Sequence, residues 1–258
     1  MGVVISKEKL LPLLIYNKPI NYNNHVILYP VTMENYILFQ FLSNSITVRK
    51  NSKFRDKNII KMTYLDFLIY SLGNKELEEK YGISDLSYYF VYAVELLELC
   101  CRTKINIDKD TAQLYINDCL VTPEIFDDLR RIIIIQNDID FDIDEFINYD
   151  TEQALLKAQE QINKDKSGIE DYIDSLVIAM NVTETDVMNM TIRKFWRYIK
   201  RYQLHEQYGF AKTGEYSGMV SFKEPIKHWM VSFDEDEKYK HVTIDEKELK
   251  SKISQANG

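Results

Sequence analysis

Apolar residues recur along this chain at two spacings, and the helical one dominates. Tyr36, Leu38, Phe39, Phe41 and Leu42 return at near-helical intervals behind Thr32, a side chain suited to an N-cap. The pattern repeats behind Thr63 through Leu65, Phe67, Leu68 and Leu72, with Gly73-Asn74 as the stop. Between these two helices, the basic and polar stretch Arg49 to Lys61 reads as an exposed connection. Ser84 to Cys101 is apolar nearly all round, with Glu95 and Glu98 as solvent markers, which predicts a central helix. Thr122-Pro123 then supplies a cap and a first helical residue. In the helix that follows, Ile125, Phe126, Leu129, Ile132 and Ile133 line one face, and Asp127, Asp128, Arg130 and Arg131 line the other.

The period-two signal is confined to one place. Lys104 to Asp108 and Ala112 to Ile116 alternate around Lys109-Asp110, and Cys119-Leu120-Val121 follows Asn117-Asp118, which predicts a small β meander. Beyond Asn137 the chain turns strongly acidic to Asp150 and stays polar to Lys166. That composition shift is the expected domain boundary. A second helical group follows: Ile169 to Met180, a break at Asn181-Val182, a capped turn at Thr183 to Asp186, and a long helix from Thr191 to His205. The expected fold class is mainly α with a small β meander (α+β). Its parts are a helical N-terminal domain over 1–150, a smaller helical C-terminal domain over 151–233, and a charged, frayed tail over 234–258.

Composition narrows the function classes. A hydrophobic share of 45% with 28% charged residues is that of a packed globular chain, and 8 Gly with 5 Pro favour helices over a β sandwich. The net charge of -8 argues against a whole-surface binder of duplex nucleic acid, which needs concentrated Lys and Arg. Cys100, Cys101 and Cys119 form no disulfide framework, so the expected setting is a reducing cytoplasm. The apolar run Leu10 to Tyr16 is short and broken by Pro12, and reads as core. No apolar run reaches the roughly 20 residues that a membrane span needs.

Candidate chemistry is sparse. His205-Glu206 opens like a zinc-protease motif, but Gly209 stands where the second ligand belongs. Asp138, Asp140, Asp142 and Asp144 open like a calcium loop, yet Ile143 replaces the turn glycine and Tyr149 the bidentate Glu. No phosphate-cradling glycine motif or nucleophile elbow occurs, so no catalytic residue, metal or cofactor is nominated. The pattern that stands out is Thr191 to Tyr202. At 100° per residue, Ile192, Phe195, Trp196, Ile199 and Tyr202 share one arc, and Arg193, Lys194, Arg197, Lys200 and Arg201 share the other. That basic stripe is a candidate partner-binding face, weighed against the plainer reading of a solvated face on a core helix and against pairing with the acidic stretch Asp138 to Asp150 of this chain or a partner. Its alternative role is recognition of nucleic acid by a regulator using residues 191–205, the less favoured reading in an acidic chain. The aromatic set Phe222, His228, Trp229 and Phe233 is the second candidate surface, because such side chains dominate interface energetics; it could equally pin the tail to the core.

Met188 to Trp196 and Glu215 to Trp229, with the middle segment Ile116 to Asn137, resemble small proteins of the tail gene clusters of phages infecting low-GC Gram-positive bacteria. The resemblance implies a phage tail assembly chaperone or a related tail component: helical, non-enzymatic, and binding other tail proteins such as the tape measure protein. It places the chain in the cytoplasm of the bacterial host or in the virion tail, and leaves self-association open.

Overall fold

A computed structural model of the protein describes residues 5–108, 111, 113–143, 168–218, 222 and 225–231. The chain is mainly α with a small β meander, as the sequence pattern predicts, and a two-stranded antiparallel sheet is added to these. The described residues group into two compact units. One lies within Met1–Tyr149 and Ile169–Tyr198, the other within Asp150–Gly168 and Ile199–Gly258. Composition marks a boundary near residue 150, whereas in space Ile169–Tyr198 groups with the N-terminal residues.

The first unit opens with α1 (Lys7–Ile15), capped by Ser6. Of the apolar run expected to be core, Leu14 is buried but Leu11, Ile15 and Tyr16 are exposed. Strands β1 (Ile20–Asn21) and β2 (Ile27–Leu28) pair antiparallel. Thr32 opens a 3-10 turn, Met33–Asn35, without a side-chain capping bond, and α2 (Tyr36–Ser43) continues from it. The stretch read as an exposed connection instead folds into α3 (Lys50–Lys53) and α4 (Lys57–Lys61), and Ser52, Phe54 and Ile59 are buried. Asp56 caps α4, and the Lys50 ammonium donates to the Met62 carbonyl, with burial pushing its pKa down.

Helix α5 (Tyr64–Ser71) starts where Thr63 predicts, its hydroxyl oxygen accepting from the Asp66 N–H at 3.1 Å. Helix α6 (Lys75–Tyr81) ends on Gly82 in the left-handed region at φ 63°, a conformation that costs glycine nothing. Helix α7 (Tyr89–Cys101) is the centre of the unit: eight of its residues are buried, and it packs against α2, α5 and β2. Burial pushes the Cys100 and Cys101 thiols upward, which disfavours the reactive thiolate form. The meander is β3 (Ile105–Ile107), β4 (Leu114–Ile116) and β5 (Cys119–Leu120), with Ile105 opposite Ile116 and Ile116 opposite Cys119.

Helix α8 (Pro123–Gln136) begins on the Thr122 cap as predicted. Its end is a Schellman turn: Asp138 takes φ 56°, the Ile139 N–H donates to Ile134 at 3.0 Å, and the Asp138 N–H donates to Ile135 at 3.4 Å. The predicted two-faced pattern is corrected in one respect. Arg130 is not on a solvated face but buried, with its Nε donating to the Ile46 carbonyl at 2.6 Å and its guanidinium 3.7 Å from the Tyr64 ring centroid. The neighbouring Arg49 donates to the Asp142 carbonyl at 2.9 Å and lies 4.4 Å from the Phe141 ring, so the start of the acidic stretch is tied to the core. Residues 144–150 of that stretch, and the tail beyond 231, lie outside the described residues.

After residue 168 come α9 (Ile169–Met180), α10 (Glu184–Met188) and α11 (Ile192–Tyr216). Helix α10 carries a full capping box: Thr183 accepts from the Asp186 N–H, and the Asp186 carboxylate accepts from the Thr183 N–H at 3.0 Å and its hydroxyl at 2.6 Å. Thr183→Ala is expected to cost about 1 kcal/mol in urea unfolding. The bonds from Thr183 hold the Asp186 carboxyl below its ordinary 3.8. A depressed carboxyl stabilises the fold above its unfolded pKa and loses that contribution as pH falls through the folded one. Asp186→Asn should therefore weaken the stability loss on acidification below 3.8; an unchanged acid limb would show that the box contributes nothing.

Candidate functional site

The long helix α11 carries the basic stripe, and its first turns are fixed by the N-terminal part of the first unit. Val31 accepts from the Ile192 N–H at 2.9 Å, Met190 accepts from the Met33 N–H at 2.9 Å, and Thr32 forms a β-bridge with Thr191. The Thr191 hydroxyl donates to Asn17 Oδ1 at 3.1 Å and accepts from the Lys194 N–H at 3.3 Å. Ile192 and Phe195 are buried, and the Trp196 ring packs between Tyr36 at 6.0 Å and Tyr172 at 5.3 Å.

The basic stripe does not survive as one face. Arg193 is buried, with Nη1 donating to the Leu14 carbonyl of α1 at 3.3 Å and Nε lacking a hydrogen-bond partner among the described residues. Burial, then the neighbouring Arg197, push its pKa down, against the opposing pull of Asp138. The reason is angular: Arg193 lies only about 60° around the helix from Trp196, a margin that α1 covers. Lys194 and Arg197 are half-buried, and burial lowers the Lys194 pKa, helped by Arg193 and Arg197. In the second unit Lys200 is exposed, while Arg201 Nη1 donates to the carbonyls of Trp229 and, at 2.9 Å, Val231.

Arg201 is the first member of a clasp within the second unit. His205 meets the Trp229 ring edge-on at 4.9 Å, Tyr208 meets His228 at 4.9 Å, and His228 stacks on Trp229 at 5.8 Å. The Met230 N–H donates to His228 Nδ1 at 3.2 Å, and the Val231 N–H to the His228 carbonyl at 3.1 Å. Two of the four nominated aromatic-set residues are thus brought together, and Trp229 is half-buried, pinning its segment to α11. Phe222 is exposed, and Phe233 lies outside the described residues. The sequence sets His205 only against a zinc-protease motif and leaves Tyr208 unmarked, although 201, 205 and 208 follow the i, i+4, i+7 spacing of one helical face. Arg201→Ala is expected to raise amide exchange at Val231 while leaving α8 protected; equal exchange in both proteins would show that the clasp does not hold the segment.

The helix also runs further than its pattern predicts, through Gly209 to Tyr216, and ends at Gly218 with φ 69°. Gly209 and Gly214 lie inside this extension, each costing about 1 kcal/mol relative to alanine. This extension carries Phe210, 77% exposed, and Tyr216, 83% exposed, while Met230 and Val231 add exposed apolar surface on the clasped segment. Such an arrangement suits association through apolar contact. Among the described residues, no three His, Cys, Asp or Glu side chains are grouped to hold a metal ion, and no helix is long and apolar enough to cross a membrane.

Residues 158–234 match the family described as the YomV second domain. This is a phage-associated family, and the match, which spans α9 to α11 and the clasped segment, supports a phage origin for the chain. Comparison with curated proteins and with solved structures gives no match.

Proposed function

We propose that the protein is a non-enzymatic phage tail-assembly factor that works in the host cytoplasm by binding other tail proteins, the tape measure protein among them. The observation that carries this reading is the set of exposed apolar side chains in the family-matched segment: Phe210 and Tyr216 on the last turns of α11, and Met230 and Val231 on the clasped segment. Large apolar side chains left in solvent favour association with a partner over a solitary role. The net charge of -8 would keep a complex with an aggregation-prone partner in solution.

The other reading, a nucleic-acid regulator using residues 191–205, is weakened by the same geometry. It loses Arg193 to burial and Arg201 to the carbonyls of residues 229 and 231. Deletion of the gene from the phage genome tests the proposal: particles without normal tails under the electron microscope are the expected result, and normal infectious tails would refute it. Purified virions then separate the two forms of the reading, since a chaperone is absent from them and a tail component is retained at fixed copy number.

A further inference from the structure

The first unit carries a second apolar surface, remote in sequence from the family-matched segment. On α2, Ile37, Leu38 and Phe41 follow helical one-face spacing behind Glu34, yet Ile37 is 65% and Phe41 46% exposed. The buried face of the same helix is formed by Phe39 and Leu42, so the core requirement is already met without the outer three. Helix α7 repeats the arrangement: Tyr88, in the 3-10 turn before it, and Val91 are exposed, Tyr92 is half-buried, and Glu95 closes the stripe. Its core face is Phe90, Ala93, Val94 and Leu97. The two helices pack side by side, Phe41 meets Tyr92 at 4.7 Å, and Tyr88 stacks on Tyr92 at 6.2 Å. The outer stripes therefore join into one continuous aromatic and aliphatic face.

Charge decides what this face can take. Burial raises the Tyr92 pKa, helped by Asp85, Tyr88, Glu95 and Glu78, so the carboxylates acting on this ring are Asp85, Glu95 and Glu78. Glu78 is already used, accepting from the Ser87 hydroxyl at 2.7 Å, which leaves Asp85 and Glu95, with Glu34 opening the α2 stripe, as the acidic groups of the face. Lys104 is within electrostatic reach of Glu95, but its ammonium is paired with Glu98 at 2.7 Å. We propose that the joined outer stripes of α2 and α7 are a docking face for a basic amphipathic helix of another protein, one with aliphatic anchors at i, i+3, i+4 and i+7 flanked by Lys or Arg. The aliphatic anchors would cover Ile37, Phe41, Tyr88 and Val91, and the flanking cations would meet Glu34, Asp85 and Glu95 and the open tyrosine rings. A second copy of this chain is a poorer occupant, because it would set acidic groups against acidic groups.

The test uses the full chain and two fluorescent helical peptides with the same leucine anchors, one flanked by Lys and Arg and the other by Glu, read by polarisation. The expected result is saturable binding of the basic peptide, at least tenfold tighter than the acidic twin and weakened by added salt. Ile37→Lys and Glu95→Lys change exposed positions and should keep the wild-type thermal unfolding curve. The first should weaken the basic peptide at least tenfold, and the second should erase most of its preference over the acidic twin. No binding of the basic peptide, equal binding of the two peptides, or wild-type affinity in Ile37→Lys would overturn the proposal. So would concentration-dependent dimerisation of the wild type that Ile37→Lys abolishes. Any of these outcomes would leave the tail-assembly reading standing, because that reading rests on the other unit.

Discussion

Replacing Arg130 with alanine is expected to destabilise the protein by about 3–5 kcal/mol, the combined cost of a buried carbonyl left without its donor and the void left by the side chain. The side chain sits inside the first unit, its Nε on the Ile46 carbonyl at 2.6 Å and its guanidinium between the rings of Tyr64 and Phe141, 3.7 and 5.4 Å from their centroids. Asp127 lies 4.0 Å from Nη1. Burial pushes the Arg130 pKa down, while Tyr64 and Asp127 hold it up. Alanine would leave the Ile46 carbonyl without its donor and open a void beside Tyr64, whose hydroxyl anchors the same turn by donating to Ser45 at 2.9 Å. Arg130→Lys should recover only part of the loss, because an ammonium lacks the flat fork that stacks and bonds at once. The urea midpoint reads the effect, and a shift equivalent to under about 0.5 kcal/mol for the alanine variant would place Arg130 on the surface that its sequence position suggests.

Phe195→Ala is the second large effect, also about 3–5 kcal/mol, because it removes a fully buried ring. Phe195 packs edge-on against Trp196 at 5.1 Å, and Trp196 in turn meets Tyr36 and Tyr172. The variant should lose near-ultraviolet circular dichroism from Trp196 along with stability. Tyr198→Ala, three residues on and exposed, should change stability by no more than about 0.5 kcal/mol. The contrast separates a helix whose start is core from one laid on the surface as a recognition element. Comparable losses in the two variants would contradict the packing described for α11.

What was legible in the sequence was local. Thr63, Thr122-Pro123 and Thr183 mark helix starts that the structure keeps, since a cap is a contract between a side chain and amides two or three residues away. The meander was legible for the same reason, its strands being separated by short turns. The burial of Arg130 and Arg193 was not, because each is covered by residues more than 80 positions distant, Ile46 and Leu14. The helices α3 and α4 were hidden by their polarity: only Ser52, Phe54 and Ile59 turn inward. A helix that is apolar nearly all round, such as α7, likewise does not announce which apolar residues stay in solvent, so Val91 and Tyr88 emerged only with the neighbours in place. Of the candidate site, His228 and Trp229 were readable as aromatics, but their pairing with His205 and Tyr208, 20 or more positions earlier in the chain, is a tertiary contact that local spacing does not show.

The proposed binding of a phage tail protein is open to a direct test. The most direct measurement is affinity purification of the tagged, full-length protein from infected cells, with nuclease treatment, followed by mass spectrometry of what is retained. The expected result is stoichiometric recovery of a tail protein such as the tape measure protein, lost in a Phe210→Ser, Met230→Ser variant that unfolds at the wild-type temperature. Recovery of nuclease-sensitive material alone would contradict it and return Lys194, Arg197 and Lys200 to consideration as the functional face.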